Sequence, residues 1–321
     1  MKRRRFIKIM AAGVAGLSAS SLLAKVGSGS ALREFSWNGY LMGAEGGFRL
    51  YGDNAARAEA VIERCFQEIR RLEKIFSLYD AESALCRLNR DGRMSNPPAE
   101  LVEVLRACLR AHRDTGGAFD PTIQPLWKLY ADHFARLPDC PQGPSQAELD
   151  ACLARIGLRQ VEVDAAEIAF AHAGMALTLN GVAQGYITDR VADILRAEGY
   201  TNVIVELGET RALGPKPDGE AWRLGVIDAR QRDQLFDVVE LQERSLATSG
   251  GYGTYLDAAQ RFHHLLDPRT GKPGMGCASV SVLAPTALRA DALSTGFCLM
   301  PPAVVESLAR RDASLDVLVQ G

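Results

Sequence analysis

The sequence predicts an α+β domain, a mixed or antiparallel sheet with flanking helices. Three observations predict it: helical periodicity fills the first half, short β-rich runs bounded by Gly, Pro and Asp fill the chain from Val203 onward, and there is neither βαβ alternation nor an internal repeat. With 321 residues, 47% of them hydrophobic and 24% charged, the chain holds a full core and is no disordered, collagen-like or disulfide-scaffold sequence. No low-complexity linker divides the body. Residues 1–31 are therefore expected to be a leader and residues 32–321 one domain.

The elements follow in order. Residues 36–51 suggest strand material interrupted by glycines. From Ala55 to Ile75, the residues Ala58, Val61, Ile62, Cys65, Ile69, Leu72 and Ile75 recur at helical spacing. Residues 77–96 are turn-rich, and a second helix is expected from about Pro98 to Arg113. TGGAFDPT at 115–122 breaks it, and Pro121 can open another helix through Trp127 and Tyr130. Ser145 and Glu148 form a capping box for a helix to about Ile156. Short strands with turns are expected over 161–179, then a strong helix from GVAQGYITD to Gly199. The later strands read NVIVELG, AWRLGVID, LFDVVEL, SLATSG, FHHLLD, ASVSVLA and LDVLV, with helices over 287–297 and 303–311 between the last two.

The net charge of -2 hides an asymmetry. The leader holds Lys2, Arg3, Arg4, Arg5, Lys8 and Lys25 and no acid, which leaves 31 bases against 39 acids in the body. A body at net -8 argues against nucleic acid as a partner. After the basic cluster, Ile9 to about Ala24 is apolar but rich in Gly, Ala and Ser and short for a bilayer span, which suits the h-region of an export signal. RRRFIK resembles a twin-arginine signal. The expectation is a periplasmic protein, its signal cleaved after about Ala31 or retained as an anchor, with no transmembrane span in the mature chain. Seven cysteines without a C-x-x-C write neither a disulfide framework nor a zinc knuckle. Cys65, Cys108, Cys152 and Cys298 fall in apolar helical patterns, where buried inert thiols are expected, as suits export after cytoplasmic folding.

The best-known nucleotide loops and hydrolase motifs are absent: there is no Walker A loop, H-E-x-x-H, G-x-S-x-G or dinucleotide fingerprint. Five weaker segments remain. In RADALSTGF, Asp291 and Thr295 stand four apart on one helical face, two oxygen ligands suited to a hard cation such as Mg2+; taken alone, such a pair is more often a solvated Asp with a Thr bonding its own helix. In LTLNGVAQGYITD, Gly181 and Gly185 suit close approach to a phosphate, or a plain tight turn. In TGGAFDP, Phe119 can stack on a flat ring and Asp120 can bond a heterocycle, or the segment is a helix C-terminal turn. In FHHLLDPRTG, His263 and His264 point opposite ways if the segment is a strand, so one can face a site and act as general base. ATSGGYGTY places the Thr248 and Ser249 hydroxyls on a glycine-rich turn.

Together and in this order, with Met42-Gly43 and FSLYDAESALCRLN ahead of them, these segments resemble the FAD:protein FMN transferase (ApbE) family over nearly the whole body. The resemblance implies a flavin transferase domain over residues 32–321. Such an enzyme splits FAD between its phosphates, attaches FMN to a Thr or Ser hydroxyl of a partner protein and releases AMP, with Mg2+ required. It implies metal ligands at the Gly181 carbonyl, Asp291 and Thr295; flavin contacts at Met42, Tyr79, Ala118, Phe119, Asp120, Thr178, Gln184 and Leu265; and His264 as the catalytic base. The implied partner is an extracytoplasmic part of a membrane-bound electron-transport protein carrying a D-x-x-[ST]-[GS]-A-T-like acceptor. Two segments depart from the family pattern. Its D-L-G-G-I-A-K-G-like run is here Thr178 to Gly185, with Thr for an acid and Gln184 for a charged residue, and its N-L-G-G-D is here Glu206-Leu207-Gly208-Glu209-Thr210. These departures remove an acceptor at 178 and a charge at 184, and add acids beside the phosphates. Two further readings stay open: hydrolysis of FAD to FMN and AMP, with water in place of the hydroxyl, and, as the departures allow, a non-catalytic FAD-binding assembly protein.

Overall fold

In the computed structural model, which describes residues 32–41, 44–138 and 140–321, the glycine-interrupted start folds back as a hairpin, β1 (Arg33–Leu41) on β2 (Ala44–Gly52). The leader and Met42 lie outside the described residues. Asn54 caps α1 (Ala55–Phe76) by accepting from the Arg57 amide at 3.1 Å, and the buried stripe of α1 contains every periodic residue expected. The turn-rich stretch also holds a helix, α2 (Ala84–Asp91): Ser83 accepts from the Cys86 amide, Leu85 and Leu88 enter the core, and Gly92 ends the helix at φ 73°, where a Cβ would be strained. After β3 (Arg93–Ser95) comes α3 (Ala99–Asp114), opening just past Pro98. A 3-10 turn at Pro121–Ile123 leads into α4 (Gln124–Arg136), and the capping box forms at the head of α5 (Gln146–Leu153), which stops short of Ile156. β4 (Val161–Val163) and β5 (Glu167–Phe170) join β3 in a small antiparallel sheet, and α6 (Ala183–Ala197) follows.

Two of the expected strands are absent. Residues 176–179 are irregular and join no ladder. Instead the Asn89 side chain donates to the Leu177 carbonyl at 2.8 Å and accepts from its amide at 2.7 Å, and the Thr178 amide donates to the Pro121 carbonyl. FHHLLD makes only isolated bridges, Tyr255 with His263 and Leu266 with Pro273. Its backbone is satisfied by loop carbonyls such as Thr254 rather than by a neighbouring strand.

The central sheet has seven strands in the order β1-β2-β6-β7-β10-β11-β12, every neighbouring pair antiparallel. Its later members are β6 (Val203–Glu206), β7 (Thr210–Leu213), β10 (Ser245–Gly250), β11 (Ser279–Ala284) and β12 (Asp316–Gln320); β8 (Trp222–Ile227) and β9 (Leu235–Leu241) pair separately as a hairpin. Alternation assigns the faces. Val203, Val205, Ala247, Val280 and Val282 face the helix-bearing cores, while Ile204, Leu246 and Leu283 pack with Trp222, Val226 and Leu241 of the hairpin on the other side. The last helices are α7 (Ala287–Phe297) and α8 (Pro302–Ala309). The sheet is thus antiparallel, and α6 and α7 pack side by side where β7 meets β10, at its middle. All seven cysteines are free, and burial pushes the Cys65 and Cys298 thiols up to about 12, so these two are inert as expected. Among the described residues no helix is long and apolar enough to cross a membrane.

Candidate active site

Asp291 and Thr295 lie on α7 as the spacing required, and Asp291 is only 3% exposed. Its carboxylate accepts the Gly185 amide at 3.0 Å on Oδ2 and, among the described residues, pairs with no cationic side chain. Burial pushes its carboxyl up to about 7; the Asp189 charge adds to this and the Gly185 amide opposes it. Glu209, between β6 and β7, feels the same effect. Burial and the Asp291 charge raise its carboxyl well above the usual range, against a hydrogen bond from the Thr248 amide. Two neighbouring carboxylates, neither of them in an ion pair among the described residues, suit a cation.

Gly181 completes the set. A Cβ at Gly181 would stand 2.8 Å from Thr295 Oγ1, so only glycine lets this backbone lie against the threonine hydroxyl. Thr295 Oγ1 also meets Ser249 Oγ at 3.3 Å, and Ser249 Oγ meets Ser294 Oγ at 2.8 Å. Ser249 lies in strand β10, not on the glycine-rich turn expected for it; its strand position aims the hydroxyl at α7. Gly181 therefore lies against Thr295, with the buried Asp291 one turn earlier on the same helix, so the donors on offer are a carbonyl, a hydroxyl and one carboxylate. Among the described residues no three His, Cys, Asp or Glu side chains cluster as a metal cage. An oxygen set that leaves coordination for water and phosphate is the kind Mg2+ takes, so the residues present fit that ion.

Gly185 has a different use from the one expected. A Cβ there would stand 2.5 Å from the Ala287 carbonyl oxygen, so this glycine serves the contact of α6 with α7 rather than a phosphate. Gly185→Ala gains up to about 1 kcal/mol of helix propensity but must push the α6 and α7 backbones apart, so a net loss of about 1–2 kcal/mol is expected in the denaturant midpoint. An unchanged midpoint would show that the helices separate freely.

His264 is half-buried with Nδ1 3.1 Å from the Thr254 carbonyl, so Nδ1 carries the proton it donates and Nε2 is left as an acceptor. Burial holds its pKa below the usual 6.5; the Thr254 bond opposes this, and the His263 charge adds to it. His263 turns its Nε2 to the Gly274 carbonyl at 3.0 Å, so the two histidines have separate partners, though not as members of a strand.

The flavin residues divide into groups. Asp120 is committed to the chain itself: Oδ1 accepts from the Thr122 amide and hydroxyl at 2.9 and 2.5 Å, and Oδ2 from the Leu158 amide at 3.0 Å. Phe119 is 4% exposed and its ring belongs to the core, so the expected stacking face is packed away; Ala118 is equally enclosed. The turn they form is adjacent to α7, where a Cβ on Gly296 would strike Thr115 and Phe119. Thr178 is tied to this turn through Pro121, and Leu265 shares a core cluster with Ala118. Gln184 lies over Gly208, which takes φ 96°, beside Glu209. Glu206 is partly exposed, 3.7 Å from Arg49. Tyr79 stands apart as a 66% exposed ring.

The family model for the ApbE family matches residues 42–319. This chain belongs to the ApbE family. Among its curated relatives, an FAD:protein FMN transferase of Escherichia coli strain K12 is 29% identical over 275 residues, 81% of this chain and 77% of the relative. Another, of Treponema pallidum, is 30% identical over 84% of this chain and 79% of its own length. Among solved structures, the flavin transferase ApbE of Vibrio cholerae superposes with a TM-score of 0.78 at 26% identity, covering 90% of this chain and 93% of that one. The Vibrio cholerae structure shares the α+β architecture of this ApbE-family chain. Sequence reading missed Asp189, which meets the first turn of α7, and Arg211, its partner; a lone Asp on a helix and a lone Arg on a strand carry no local signal.

Proposed function

We propose that this chain is an FAD:protein FMN transferase. The observation that carries the reading is the buried Asp291, paired with no cationic side chain among the described residues, on the helix that meets Gly181 at Thr295, in a fold whose relatives bear that name. Gly181, Asp291 and Thr295 would hold Mg2+, which when bound neutralises charge on the diphosphate of FAD. Helices α6 and α7 hold this set beside the 115–121 turn, whose backbone rather than the packed Phe119 ring would face the flavin. His264, with Nδ1–H fixed on Thr254, takes the acceptor hydroxyl proton on Nε2. The hydroxyl oxygen then bonds the phosphorus bearing riboflavin, the bridging P–O bond breaks, and AMP leaves. Water in place of the hydroxyl gives the hydrolase reading. The basic leader and the apolar run after it support a periplasmic enzyme acting on an exported electron-transport protein, with Thr or Ser in a D-x-x-[ST]-[GS]-A-T-like segment as recipient. Incubation with FAD, Mg2+ and such a fragment tests this by the mass of one FMN.

Two groups give two different pH responses. His264 titrates below 6.5 and works as a base when neutral, so kcat at saturating Mg2+ holds above that pH and falls below it. A proton on Asp291, whose carboxyl titrates at about 7, competes with the cation, so the Mg2+ concentration for half-maximal rate climbs as pH falls through neutrality. Rate profiles at low and saturating Mg2+ separate them; a metal requirement indifferent to pH contradicts the Asp291 assignment.

A further inference from the structure

Asp189 and Arg211 form a buried ion pair that the transfer chemistry leaves unused. Asp189 lies on α6, one turn beyond Gly185. Its Oδ1 accepts from Arg211 Nη1 and from the Ala287 amide at 2.8 Å, and its Oδ2 from the Leu288 amide at 2.9 Å. Ala287 and Leu288 are the first two residues of α7, so this carboxylate satisfies backbone donors at the end of a helix where the dipole favours negative charge. One turn earlier on α6, Gly185 bonds Asp291 and lies against the Ala287 carbonyl. Three hydrogen bonds therefore tie the start of α6 to the start of α7, and Arg211 anchors that joint to β7. Gly181 precedes α6, while Asp291 and Thr295 ride on α7. Any slip of α7 along α6 separates the carbonyl from the carboxylate and hydroxyl.

The geometry points to Asp189, held by Arg211, as a positioning residue that sets the spacing of Gly181 against Asp291 and Thr295. This inference rests on the reading of those three residues as a cation site. A pair serving stability alone would affect folding and leave cation affinity untouched.

The test uses the full chain stripped of metal, with Mn2+ as the probe counted by electron paramagnetic resonance and FAD binding followed by flavin fluorescence without metal. Asp189→Asn keeps the volume and removes the charge. It is expected to weaken Mn2+ binding by about ten-fold or more, the usual cost of losing a group that orients ligands, with metal-free FAD affinity unchanged within about two-fold. Because this variant leaves Arg211 buried without its partner, Asp189→Asn combined with Arg211→Met removes both charges and is expected to recover melting temperature but not Mn2+ affinity. Wild-type Mn2+ affinity in either variant overturns the inference and leaves the pair a structural one. Failure of the wild-type chain to bind Mn2+ overturns the cation site itself, and the inference with it.

Discussion

Replacing Asp291 by Asn abolishes Mg2+-dependent FMN transfer and, in the same protein, raises the melting temperature of the metal-free form at pH 8. The carboxylate is the only charge in the expected ligand set, and removing it should cost on the order of 10³-fold or more in rate. The stability effect has the opposite sign. Asp291 titrates at about 7 in the fold against an ordinary 3.8, so its contribution favours folding below 3.8 and is lost as pH rises through 7. At pH 8 the metal-free wild type therefore carries a buried, unpaired charge that the isosteric Asn does not, and the amide oxygen of Asn can still accept from Gly185. The gap between the two melting temperatures should close as pH falls toward 5. Mg2+ should raise the melting temperature of the wild type and not of the variant. Undiminished turnover, or a variant less stable than the wild type at pH 8, contradicts the assigned site.

His264→Ala slows transfer by roughly 10²-fold or more at saturating Mg2+ and FAD, within the range general base catalysis supplies. FAD affinity should move by about two-fold at most, since the ring's one hydrogen bond goes to the chain's own Thr254 carbonyl. His264→Asn separates base from scaffold, because its amide can donate to Thr254 but cannot take a proton. Asn as slow as Ala identifies proton acceptance as the role, whereas recovery with Asn makes His264 a prop for its loop. The acid limb of the pH profile should vanish in both variants.

The helices were legible because their signals are local. α1 announces itself by an apolar stripe, α5 by Ser145 and Glu148 forming their capping box. α2 is as short as α5 but has no capping box and sits in a turn-rich stretch, though Ser83 before it and Gly92 after it are ordinary start and stop residues. Two β-like runs proved to be loops. Whether Leu177 or His264 finds a ladder partner depends on distant residues, and those partners are the Asn89 side chain and the Thr254 carbonyl. In the candidate site, the Asp291–Thr295 pair was visible as one helical turn, yet its meaning lies in what faces it. Gly181, Ser249 and Glu209 arrive from three other segments. Asp189 and Arg211 could not be read at all, because a buried pair joining a helix to a strand is written only in three dimensions. Phe119 misled in the other direction: an aromatic beside Gly116-Gly117 looks available for stacking, and the fold spends it on the core.

Intact-mass measurement of an acceptor fragment bearing the Thr or Ser segment, after incubation with the mature chain, FAD and Mg2+, tests FMN transfer itself. A transferase gives a mass increment of one FMN on the hydroxyl, releases one AMP per adduct, and yields neither product when Mg2+ is withheld. AMP released without acceptor would select hydrolysis, and stoichiometric FAD bound but never cleaved, at full metal occupancy, would rule out transferase activity.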